Sequence, residues 1–124
     1  MSIETLKIIS DFMVERNLPY NFMEWEGEIL QTYFVGEYQE TPTNTKEEDG
    51  YHETAFIING FTRDSWLSLE LAKKKIEISL PKMAINDDGS TVAIFYENAF
   101  LVPTGDAELK RMQINLTIKE WSVN

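Results

Sequence analysis

Chemistry at neutral pH would have to run through His52, the single histidine of this 124-residue chain, which lies between the acidic run Glu47, Glu48, Asp49 and a strand-like stretch. A general base needs a nucleophile and an orienting group within hydrogen-bond reach, and no serine or cysteine motif accompanies His52. A solvated or structural histidine is the expectation. Asn86-Asp87-Asp88-Gly89 offers oxygen ligands for a hard cation, yet it lacks the spacing and the distal Glu of a calcium loop and reads as a turn. Gly36, Gly60 and Gly105 do not form a phosphate cradle, and no pair of the many carboxylates is set apart by spacing as an acid/base couple. With no cysteine, a disulfide framework, a thiolate metal site and a cysteine nucleophile are all excluded. The expected reading is a protein without catalytic residues, cofactor or metal, acting by assembly and not by turnover.

Eleven basic against twenty-one acidic residues give a net charge of −10, which repels a phosphate backbone. Proteins are the expected partners, with no specific nucleic-acid binding. Hydrophobic residues at 43% and aromatics at 12% suit one domain, 1–124, that buries its own core. The opening MSIETLKIISDFM carries no basic leader, and no apolar run approaches the length of a bilayer. The expected compartment is the cytoplasm of the producing cell, with no membrane partner.

The elements that must position any surface are read from periodicity. In KRMQINLTIKEW, residues 110–121, Met112, Ile114, Leu116 and Ile118 alternate with Arg111, Gln113, Asn115, Thr117 and Lys119, so a long strand has one apolar and one wet face. Further strands are expected over residues 29–40, 51–62 and 91–101, and residues 20–28 have room for a short one. Ser2 caps a first helix running to about Arg16, whose polar stripe is Glu4, Lys7, Asp11 and Glu15. A second helix covers SWLSLELAKKKIEISL, with Asp64 as the best-placed cap and Pro81 as its stop. It has two apolar stripes: Leu69, Ala72 and Ile76, with Trp66 beside them, and Leu67, Leu71 and Ile78 on another side. One should cover the sheet and the other should meet the first helix or another molecule. TPTNTKEEDG, residues 41–50, has no large apolar residue and reads as a mobile loop. The expected fold class is α+β in the order helix, hairpin, helix, hairpin: an antiparallel sheet with two helices packed on one face.

FTRDSWLSLELAKKKIEISLP, AIFYENAFLVPTGDAELKR and MQINLTIKEW, together with the opening helix and YFVGEY, resemble the small tail-completion, or tail-terminator, proteins of long-tailed bacteriophages and prophages of Gram-positive bacteria. The resemblance spans nearly the whole chain and is one of layout, with no chemical signature. It implies a homo-oligomeric ring, hexameric, that caps the tail tube protein and gives the head connector protein a docking surface. It also implies assembly in the host bacterial cytoplasm and a final place in the virion tail.

A ring protein needs a subunit contact, a lumen or partner face, and a docking segment. Leu67, Leu71 and Ile78 are the candidates for the first, Arg111, Gln113, Asn115 and Lys119 for the second, and Thr43, Lys46, Glu47, Glu48 and Asp49 for the third. The net charge of −10 also suits a rival class, a small acidic inhibitor that imitates DNA, although the acids are scattered over several elements. A generic protein-interaction adaptor is the third reading.

Overall fold

A computed structural model describes residues 1–40 and 51–122. The loop candidates Thr43, Lys46, Glu47, Glu48 and Asp49 lie outside the described residues. In chain order the elements are α1 (Ile3–Glu15), β1 (Tyr20–Phe22), β2 (Thr32–Glu40), β3 (Tyr51–Thr62), α2 (Trp66–Ile78), β4 (Lys82–Ile85), β5 (Thr91–Val102) and β6 (Lys110–Trp121). All six strands join one sheet in the order β1-β2-β3-β6-β5-β4.

This architecture overturns the expected fold class. Strand outweighs helix by 46% to 23%, and the sheet curls into a half-barrel, so two helices laid on one face of a four-stranded antiparallel sheet is the wrong description. The sheet is mixed, because β1 runs parallel to β2. The helix, hairpin, helix, hairpin order also fails, since β1 stands between α1 and the β2–β3 pair, and β4 turns the second hairpin into three consecutive antiparallel strands, β4-β5-β6. Both added strands are three or four residues long, too short to show a period of two.

The central pair, β3 with β6, is antiparallel through twelve residues, from Tyr51↔Trp121 to Thr62↔Lys110. Alternation sends Phe56 and Ile58 of β3, and Met112, Ile114, Leu116 and Ile118 of β6, to the inner side, where all are buried. On β5 the inner residues are Val92, Ile94 and Tyr96, and then Ala99 and Leu101, because a bulge at Glu97 resets the parity. This is why TVAIFYENAFLV shows no clean alternation in the sequence.

The inner residues close on both helices. Ile9, Phe12 and Met13 of α1 and Leu69, Ala72 and Ile76 of α2 belong to the same buried cluster as the sheet. The Ser2 side chain accepts from the Thr5 amide at 3.1 Å, as a cap should, and Asn17 ends the first helix at φ 58°. The cap of α2 is Ser65, not Asp64; the Asp64 carboxylate instead accepts from the Ser68 hydroxyl at 3.1 Å.

Candidate assembly interface

The two stripes of α2 have different fates. Leu69, Ala72 and Ile76 are buried against the sheet, whereas Leu67, Leu71 and Ile78 are 61%, 54% and 73% exposed. Uncovered leucine and isoleucine at this spacing form an apolar ridge on the outside of the molecule. Leu71 and Ile78 stand on the rim of a groove of about 620 Å³ whose floor holds Leu18, Pro19, Phe34 and Ala72. Lys74 and Lys75 also line it, with Asn17, Thr32 and Ser68, and Leu67 stands outside it on the same ridge.

The outer face of the sheet carries Arg111, Gln113, Asn115 and Lys119, as the parity of β6 requires, and all four are half-buried. Their polar atoms are engaged within the sheet. Arg111 donates to Asn59 Oδ1 through Nε at 3.2 Å and a terminal nitrogen at 2.8 Å, and its guanidinium stacks over Phe61. Gln113 donates to Asn115 at 2.9 Å, Asn115 to Asn98 at 2.7 Å, and the Thr117 hydroxyl to Glu97 at 2.6 Å. Lys119 approaches Glu53 and lies over the rings of Tyr51 and Phe95. The wet stripe is thus a polar ladder bound to itself, flanked by exposed apolar residues: Met83 and Ile85 on β4, and Phe100 on β5. Beyond Ile94, β5 has β6 on one side and no strand on the other among the described residues, leaving an open edge from Phe95 to Val102.

His52 sits at the opposite end of the sheet, in a polar cleft of about 340 Å³ with Met1, Ser2, Glu40, Thr54, Glu120 and Ser122. The cleft's carboxylates already have partners: the Met1 amine pairs with Glu40, and Ser2 and Thr5 donate to Glu120. The chemistry available there is hydrogen bonding that ties α1 to the sheet. The turn at Asn86-Asp87-Asp88-Gly89 is a turn in fact, closed by the Gly89 amide donating to Asn86 O at 2.9 Å, and Asp88 accepts from the Ser90 amide and hydroxyl. Those bonds hold the Asp88 carboxyl below its ordinary pKa. Among the described residues no group of three or more His, Cys, Asp or Glu could hold a metal ion. No helix among them is long and apolar enough to cross a membrane.

No protein-family model matches the chain, and no curated protein matches it.

Three surface features escaped the sequence reading. The groove could not be read from it, because Leu18, Pro19 and Phe34 come together with α2 only in the fold. Lys74 and Lys75 line that groove, a place that the helical pattern of residues 65–80 does not reveal. Residues 23–28 fall in the stretch expected to have room for a short strand and residues 29–31 in the strand expected over 29–40, yet all nine form an exposed segment ahead of β2 whose alternating glutamates are its signal.

Proposed function

We propose that this chain is a tail-completion protein of a long-tailed phage or prophage: it forms a ring on the end of the tail tube and offers the docking surface for the head connector. The carrying observation is the ridge of Leu67, Leu71 and Ile78, left bare on a helix whose other stripe is already consumed by the core. A monomer gains nothing from that ridge. A neighbouring subunit would remove it from water at about 25 cal/mol per Å² of apolar surface. The likeness of layout to tail-terminator proteins supports the same reading, and the negative charge of −10 suits a ring through which DNA passes without sticking.

The test is genetic and microscopic. Deleting the gene from a producing phage should give overlong tails that fail to join heads, and Leu71→Glu should reproduce this with a folded protein. Normal tails after deletion would sink the proposal, and binding to DNA-binding proteins should then be measured for the DNA-imitating alternative.

A further inference from the structure

A closed ring requires one surface of each subunit to fit a different surface of the next. The groove of α2 supplies the first: an apolar floor of Leu18, Pro19 and Phe34 under a rim of Leu71, Ile78, Lys74 and Lys75. Lys73, Lys74 and Lys75 are three of only eleven basic residues in a chain of net charge −10. Lys73 is paired with Glu70 at 3.1 Å, whereas Lys74 and Lys75 enter no ion pair among the described residues.

The complement is carried by the same chain. Between β1 and β2, residues 23–31 form an exposed strap in which Glu24, Glu26 and Glu28 sit among the exposed apolar side chains of Met23, Ile29 and Leu30. None of these glutamates enters an ion pair among the described residues. The strap is held in shape from within. The Trp25 ring packs at a tilt against Tyr33, with centroids 5.1 Å apart, and donates from Nε1 to Glu28 O at 2.9 Å, Gly27 takes φ 94°, and the Met23 amide donates to Gly36 O at 2.7 Å. Tyr33 is aligned with Phe61 and Arg111, so Trp25 lies on the outer face, away from the helices.

We infer that the acidic, apolar strap of one copy seats in the lysine-rimmed apolar groove of the next. Opposite charge sets the register, and Ile29 and Leu30 cover the floor that Leu71 and Ile78 flank. Because strap and groove are different surfaces of the chain, with Trp25 anchoring the strap on the outer face, the contact is head-to-tail, the kind that propagates around a ring. The inference rests on the ring reading and names its contact.

The chain has no cysteine, so disulfide trapping reports only designed pairs. Full-length Ile29→Cys and Leu71→Cys proteins, both substituted at exposed positions and checked for folding by circular dichroism, are oxidised alone and as a mixture. The expected result is a cross-linked dimer of unlike chains in the mixture, at least about tenfold above either chain alone. Self-linking of Leu71→Cys means a two-fold contact and overturns the inference, as does an unlinked mixture. Charge reversal supplies the second arm: Lys74→Glu with Lys75→Glu, or Glu24→Lys with Glu26→Lys, should each weaken association about tenfold or more. All four together leave the net charge at −10 and should restore it. Failure to restore it overturns the pairing. The ring reading stands or falls separately, on the tails made without the protein.

Discussion

The Thr5 hydroxyl donates to Glu120 Oε2 at 2.7 Å, joining the first turn of the opening helix to the end of the last strand. The same oxygen accepts from the Ser2 hydroxyl at 3.1 Å and the Ser2 amide at 3.3 Å, so one carboxylate gathers the start of α1 onto the sheet. Glu120→Ala would leave the buried Thr5 hydroxyl without this acceptor. The expected cost is about 1–3 kcal/mol of stability, measured by urea denaturation, with early loss of amide protection in α1. An unchanged midpoint would show the anchor to be dispensable.

Tyr20 gives a pH dependence whose sign is fixed by burial. Its hydroxyl meets no hydrogen-bond partner among the described residues, and burial pushes its pKa well above the ordinary value of 10.0. Above that ordinary value the unfolded chain releases the proton while the folded chain keeps it, so stability present at neutral pH declines as pH rises past 10. Tyr20→Phe should flatten that alkaline decline and, by removing an unsatisfied hydroxyl, raise stability at pH 7 by up to about 1 kcal/mol. A steeper alkaline loss in the variant would contradict the assignment.

Gly60 is fixed by a neighbour and not by backbone freedom. A methyl group placed there would stand 2.7 Å from the Phe34 ring and 3.1 Å from Leu69, both in the core. Gly60→Ala should therefore destabilise by about 1–3 kcal/mol, the usual range for overpacking. Thermal unfolding is the readout, and a midpoint at or above that of the natural chain would refute the packing argument.

Leu71 and Leu69 are two residues apart and should respond oppositely to the same change. Leu71→Glu lies on the exposed ridge and should shift stability by no more than about 0.5 kcal/mol. Leu69→Glu puts a charge where the side chain is 1% exposed, and should unfold the domain or cost more than about 4 kcal/mol. Denaturation of the two variants side by side decides it; equal losses would mean that Leu71 is a core residue after all.

Local periodicity was enough for much of this protein. The alternation of Met112, Ile114, Leu116 and Ile118 specified the central strand and its buried face, because side-chain direction along a strand is set by the backbone alone. The 3.6-residue period likewise separates the two stripes of α2, although the sequence does not say which neighbour each meets. The mixed half-barrel was not legible. Tyr20–Phe22 and Lys82–Ile85 are too short to carry a period, and they are strands only because β2 and β5 offer them edges. The bulge at Glu97 hid the parity of β5, and the bond from Thr5 to Glu120 spans 115 positions that no pattern in the chain connects. The groove over Leu18, Pro19 and Phe34 is likewise a product of tertiary packing, since a connector and a strand supply those three residues, and a helix more than thirty residues downstream supplies Ala72 and the rim.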